Sequence, residues 1–284
     1  MREIMLKKTL KYCAVLLFFI TLLSNCDIFP TSKVPDKEDE NEPKTNDLKV
    51  LILGNDYLHD NDIEDMLEKL AETDGQSFFI EIRYGSDYYL SDHATSNMSK
   101  TLIEKREWDI VILQGAAHFI AKPEWHSSIV PSMQTLRDLI RLQNKDCKII
   151  YMMPWGYEQG FNAIAGETGD YNALQQAIID ETISVCNTLE ILTAPVGYVW
   201  KDIKNNHANI QLYNTDPNYP SHPSIEGTFL SACTIYVTAV ERNIDNLNYN
   251  GNISTTNAAT IRQAATAGVL NHREDWGLTA STGL

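Results

Sequence analysis

The sequence predicts an α/β protein: a three-layer α/β/α sandwich built on a five-stranded parallel sheet. Three observations carry this. Five short apolar runs recur along the chain, each of strand length. Longer segments with apolar residues at helical spacing separate them. The runs are continuously apolar rather than alternating, as expected of strands covered on both faces, and such strands belong to parallel sheets.

The elements follow in order. Leu48-Lys49-Val50-Leu51-Ile52-Leu53 reads as the first strand. A helix over residues 63–71 places Ile63, Met66, Leu67 and Leu70 on one face. Residues 78–82 form the second strand, and a helix over 98–106 leads to the third, Trp108-Asp109-Ile110-Val111-Ile112-Leu113. A helix over 125–142 precedes a fourth strand at 148–153, which Pro154 stops. A long helix over 171–188 precedes a fifth strand at 190–194. A helix over 223–240 takes Pro223 into its first turn, where the missing N–H costs nothing, and a last helix covers 255–270. Right-handed crossovers then place helices on both faces, and function belongs beyond the carboxyl ends of the strands. The loops to inspect are 54–62, 84–95, 114–124, 154–170 and 198–222.

Two stretches precede this domain, which spans 48–284. Residues 1–25 have a basic start (Arg2, Lys7, Lys8, Lys11) and an apolar core over 14–23. That is the makeup of a signal peptide, and the core falls short of the roughly 20 residues that span a bilayer. The core ends in Leu22-Leu23-Ser24-Asn25-Cys26, which resembles a bacterial lipobox and implies a membrane anchor through acylated Cys26. Residues 26–47 carry Pro30, Pro35, Pro43 and a dense acidic run, with no periodicity, and read as a tether. Acidic residues after the cysteine resemble surface-export signals, whereas Asp27 beside it resembles an inner-membrane retention signal. The expectation is an exported lipoprotein, with the outer membrane or cell surface favoured over the inner membrane.

The formal charge is −15, of which residues 1–25 contribute +3 (the four basic side chains against Glu3), leaving −18 for the remainder. Such a surface repels phosphate backbones, so nucleic acid is excluded as a partner. Cys147, Cys186 and Cys233 have no metal-type spacing and sit in apolar surroundings, which reads as buried free thiols, with one disulfide among them as the alternative.

Four blocks in those loops resemble the SGNH/GDSL hydrolases, whose fold is the flavodoxin-like sandwich predicted above. Leu51-Ile52-Leu53-Gly54-Asn55-Asp56 stands where that family ends its first strand in Gly-Asp-Ser or Gly-Asn-Ser. Gly85 is placed like the second-block glycine, whose N–H serves the oxyanion. Trp108 to Gly115, with Leu113-Gln114, looks like a third block in which Gln114 replaces the usual asparagine. Ser221-His222-Pro223-Ser224-Ile225-Glu226-Gly227-Thr228 looks like the fifth block, His-Pro-Ser-x-x-Gly, which supplies the catalytic histidine. The resemblance implies an ester hydrolase, of carbohydrate O-acetyl esters for example. His222 would be the base, Gly85 and Gln114 would line the oxyanion and substrate region, His93 would either line it too or serve structure alone, and a small molecule or carbohydrate would be the ligand. No metal and no cofactor is implied.

Acyl transfer needs a nucleophile at a strand end, a base within about 3 Å of it, and preorganised N–H donors for the oxyanion. Two positions depart from the family. Asp56 occupies the serine's place, and a carboxylate attacking an ester would form a costly anhydride. The acid normally three residues before the histidine is Tyr219, so Asp216, six residues before it, is the nearest upstream acid. The alternative function is a non-catalytic glycan- or ligand-binding lipoprotein that uses the same cleft. Asp56, His59, Asp60, Asp62, Asp216 and His222 form a possible hard-metal set, but residues 59–62 read better as solvated and helix-capping, with Asp62 as the cap. Ser86 and Ser91 are candidate substitutes for the missing nucleophile. Tyr88, Tyr89, Trp155, Tyr157, Phe161 and Tyr219 crowd the loop edge and suit a sugar ring. His118 and His126 read as loop and helix-surface residues.

Overall fold

The computed structural model describes residues 42–85 and 88–278; the leader, Cys26, the tether through residue 41 and Ser86 lie outside the described residues. Five parallel strands form the sheet: β1 (Leu48–Asn55), β2 (Phe78–Gly85), β3 (Ile110–Gln114), β4 (Lys148–Met152) and β5 (Leu192–Ala194), in the order β2-β1-β3-β4-β5. Val50 pairs with Ile80 on one side and Ile110 on the other. The most apolar runs take the centre: Val50, Leu51, Ile52 and Leu53 in β1 and Val111, Ile112 and Leu113 in β3 are all buried. β2, at an edge, is half-buried along most of its length.

Helices cover both faces. On one lie α2 (Leu90–Thr95), α3 (Asn97–Glu104), the short α4 (Ala117–Ile120), α5 (His126–Gln143) and α6 (Tyr171–Leu189), with α2 and α3 packed on α5. On the other lie α1 (Ile63–Thr73), α7 (Val196–Asn206), α8 (Ile225–Val240) and α9 (Thr255–Leu270). There α1, α7 and α9 all pack on α8, which is buried from Gly227 through Ala239. That burial explains an α8 sequence that is apolar almost all the way round. The predicted three-layer sandwich is therefore the observed one.

Local corrections have local causes. Glu190 closes α6 in the left-handed region (φ 54°), so β5 starts at Leu192 rather than at residue 190. Ser224, whose side chain accepts from Gly227 N at 3.1 Å, caps α8, so Pro223 lies outside the helix. α7 occupies residues read from the sequence as loop. Its start docks closely: Gly197 N–H donates to Met153 O at 3.1 Å, and a Cβ on Gly197 would lie 2.2 Å from Pro154 O. Cys147, Cys186 and Cys233 are buried and free, and burial pushes the thiols of Cys147 and Cys186 up to about 12. Among the described residues no helix is long and apolar enough to cross a membrane.

The strand order makes β1 the switch point: the chain leaves it toward β2 and then returns past it to β3. The loops after β1 and β3 thus part in opposite directions, and a crevice opens at their carboxyl ends. That crevice holds Asn55-Asp56 and Gln114-Gly115.

Candidate active site

The end of β1 is clamped from two sides. His93 is 1% exposed, and its Nε2 lies 2.8 Å from Gly54 O while Nδ1 lies 3.0 Å from Ser99 Oγ. Ser99 Oγ also accepts from Arg83 Nε at 3.1 Å. Every group is satisfied when His93 is neutral, donating from Nε2 and accepting the Ser99 hydroxyl proton at Nδ1. Burial holds the His93 pKa below the ordinary histidine value, against the pull of the Gly54 carbonyl. From the other side, Gln114 Oε1 accepts the Asn55 N–H at 2.8 Å, and Gln114 Nε2 donates to Gly115 O at 3.3 Å. A Cβ on Gly54 would lie 2.5 Å from Gln114 Oε1, so only glycine lets that amide approach.

These contacts correct one sequence expectation and decide between two readings of another residue. Gln114 is 2% exposed and spends its amide on the backbone, not on an oxyanion. His93 positions the strand end rather than lining the cleft, since both its ring nitrogens are used. The Tyr88 ring packs over Gly85, with Cδ1 2.4 Å from where a Cβ would lie.

Beyond the clamp, Asn55 Oδ1 accepts from Tyr57 N at 3.1 Å and starts the 3-10 turn Asp56–Leu58. The half-buried Asp56 is thus the first residue beyond the strand. His222 faces this turn. A short antiparallel pairing holds it: Asn214 N–H donates to His222 O at 2.8 Å, Tyr213 bridges Pro223, and Ser224 N–H donates to Leu212 O at 2.8 Å. Tyr213 is anchored in turn by its hydroxyl on Gly156 O at 2.7 Å. The Tyr57 ring lies 4.4 Å from the His222 ring, and Asn61 Nδ2 donates to Thr228 Oγ1 at 2.9 Å, fastening the two segments together. The strand-end turn and the segment of the late histidine thus meet through Tyr57 and Asn61.

The acid that holds His222 is Asp60. His222 Nδ1 and Asp60 Oδ2 are 2.5 Å apart, with side chains 14% and 26% exposed. Asp216 is not the orienting acid: its carboxylate accepts from Asn218 N at 2.9 Å and Asn218 Nδ2 at 2.8 Å, closing an exposed turn. The loop bulges between its tied ends and carries Asp216 outward. Asp62 is not a side-chain cap either; it sits in the left-handed region at φ 53° and makes no capping bond. Asp60 left one sequence signal, the absent acid at Tyr219, which obliges another loop to supply one.

An aromatic wall backs the histidine. Tyr57 stacks on Trp155 at 5.6 Å, Trp155 stacks on Trp200 at 4.3 Å, and Tyr219 meets the His222 ring edge-on at 5.0 Å. Trp155 Nε1 donates to Ser221 O at 3.0 Å, holding the residue next to His222. Adjoining this wall is a cavity of about 410 Å³, lined by His118, Tyr157, Glu158, Ile164, Pro220 and Ser221 among others. His118 thus belongs to the site region, which the sequence reading missed; nothing in its local pattern marks it. Elsewhere, the ligand atoms of His59, Asp62 and Glu64 lie within 4.8 Å of one another, a possible cation cluster that includes none of Asp56, Asp60, Asp216 and His222.

Sequence comparison matches the chain to no family model and to no curated relative. Structural comparison does find likenesses. A DUF4886 family protein from Bacteroides uniformis superposes with TM-score 0.66 at 18% identity, over 79% of this chain and 95% of that one. An inferred SGNH hydrolase from Slackia heliotrinireducens gives 0.55 at 19%, over 68% and 99%. The acetylxylan esterase Axe2 from Geobacillus stearothermophilus gives 0.50 at 13%, over 69% and 95%. The chain therefore has the fold of the SGNH/GDSL hydrolases.

Proposed function

We propose that this chain is an exported, lipid-anchored ester hydrolase in which His222, held by Asp60, is the base and water is the attacking group. The observation that carries the reading is the 2.5 Å contact between His222 Nδ1 and Asp60. A carboxylate on Nδ1 fixes the imidazole's orientation, leaves Nε2 to take a proton, and stabilises the imidazolium that forms. Asp56 does not act as serine does, because an anhydride would be costly. As an acceptor it holds a water by one hydrogen while His222 Nε2 removes the other. The water oxygen adds to the acyl carbon, and His222 then returns the proton to the departing alcohol. With the Gln114 amide engaged elsewhere, oxyanion stabilisation is weak and turnover is slow. Loss of the serine from a triad leaves roughly 10³–10⁴-fold acceleration over water.

The test is p-nitrophenyl acetate hydrolysis by the purified native chain, Asp56→Ser and His222→Ala. Slow native activity that disappears in His222→Ala is expected, with a gain in Asp56→Ser. No turnover by either the native chain or Asp56→Ser ends the proposal. A second reading, a binding protein using the same cleft, is favoured by the consumed Gln114 amide, and it requires a native chain without turnover. Anchoring through Cys26 is tested by metabolic labelling with a radiolabelled fatty acid. The label should enter the native chain and be absent from Cys26→Ala.

A further inference from the structure

The cavity beside His222 has a chemistry of its own. Its walls come from α4 after β3, from the loop after β4, and from Pro220-Ser221, the two residues immediately before His222. At about 410 Å³ it falls within the roughly 300–1,000 Å³ range of ligand clefts. His118 Nδ1 lies 2.9 Å from the Tyr157 hydroxyl. If the phenol donates, the pair offers His118 Nε2–H as a donor and the phenol oxygen as an acceptor. If the imidazole donates, it offers the phenol O–H as a donor and Nε2 as an acceptor. Either tautomer therefore presents one donor and one acceptor, the complement of a hydroxyl group, which needs both. Burial lowers the His118 pKa and pushes the Tyr157 hydroxyl up to about 12, so the pair is uncharged at neutral pH.

The remaining walls narrow the ligand class. No lysine or arginine is among the described lining residues, whereas the carboxylate of Glu158 is, tied to Lys204 at 3.1 Å. Lys204 is spent on Glu158, so an anionic ligand would find no lining cation of its own. An acyl chain would bury the His118–Tyr157 pair and Glu158 against methylenes, leaving polar groups unsatisfied. Ile164, Ala163 and the Tyr157 ring supply an apolar face for the C–H side of a sugar.

We propose that this cavity is a sugar subsite, taking a neutral, polyhydroxylated ring whose hydroxyl is bridged by His118 and Tyr157. It deepens the reading above, on which it rests only in treating His222 as the reacting end of the same cleft. The ring held here belongs to the ligand's carbohydrate part, so the ester lies on an adjoining sugar.

Calorimetric titration of the full chain in detergent tests this with unacetylated probes, so no turnover is involved. The probes are xylo-, cello- and mannotetraose, with tetragalacturonate as the anionic control and decanoate as the acyl control. At least one neutral tetrasaccharide should bind, more tightly than either control. Tyr157→Phe and His118→Ala should each weaken it by about 3- to 10-fold, the worth of one neutral hydrogen bond. Tyr157→Phe keeps the ring and decides the matter if His118→Ala does not fold. The proposal is overturned if no neutral sugar binds, if a control binds more tightly, or if Tyr157→Phe binds unchanged. Sugar binding without any ester turnover would end the hydrolase reading and leave this one standing, and turnover without sugar binding would do the reverse.

Discussion

Gln114→Met separates a structural amide from an oxyanion donor. Methionine keeps the length and most of the volume of glutamine, so packing against Gly54 and Leu58 is largely preserved. What disappears is the acceptor for Asn55 N–H, now at 2.8 Å, in a residue only 7% exposed. The Gly115 carbonyl loses a weaker partner at 3.3 Å. Leaving a buried donor unpaired costs about 1–3 kcal/mol, and the carbonyl, with a second lone pair, adds little. For a domain of this size that converts to a fall in Tm of roughly 2–12 °C. Urea denaturation followed by tryptophan fluorescence, with a thermal melt beside it, measures both. Since the amide fixes the residue before Asp56, any ester turnover should fall as well, but in step with the stability loss. A variant as stable as the native chain to within about 0.3 kcal/mol, yet losing turnover, would refute the reasoning: Gln114 would then face the cleft, as the sequence alone suggests.

Two further outcomes are expected. In the Asp56→Ser background, Asp60→Asn should lower kcat about tenfold or more with KM little changed. Hydrogen bonds to charged groups contribute about 1.5–3 kcal/mol, discounted here because a quarter of the Asp60 side chain is exposed. Asp216→Asn should stay within about twofold, and imidazole ¹⁵N shifts of His222 should move only in Asp60→Asn; the opposite ranking would return the orienting role to Asp216. For pH, burial lowers the folded pKa of His93 and His118, so below about pH 6.5 the unfolded chain binds protons that the folded chain refuses. Their contribution is complete above that pH and is lost as pH falls through the lowered folded values. The urea midpoint should therefore drop between pH 7 and pH 5, and His93→Gln should flatten that slope; an unchanged slope counts against a neutral, buried His93.

The sequence by itself determined the sheet, because burial on both faces demands continuous apolar runs, and those runs are read residue by residue along β1, β3 and β4. It also pointed, through the resemblance, to Asp56 and His222 at the carboxyl edge of the sheet, where the loops after parallel strands open. α7 reads as loop in the sequence although Val196, Val199, Trp200 and Ile203 fall at helical spacing, because it lacks a side-chain cap at Pro195 and is held instead by docking on Met153 and Pro154. Only the tertiary structure decided which acid meets the histidine, since Asp60 lies 162 residues from His222 and the path of two loops brings them together. It likewise turned Gln114 and His93 inward, onto strand-end backbone groups that would otherwise be buried unpaired, and brought His118 to Tyr157 from a separate loop. Periodicity records which face of an element is buried; it carries no information on where a polar loop side chain finds its partner, because that choice depends on backbone groups distant in the chain.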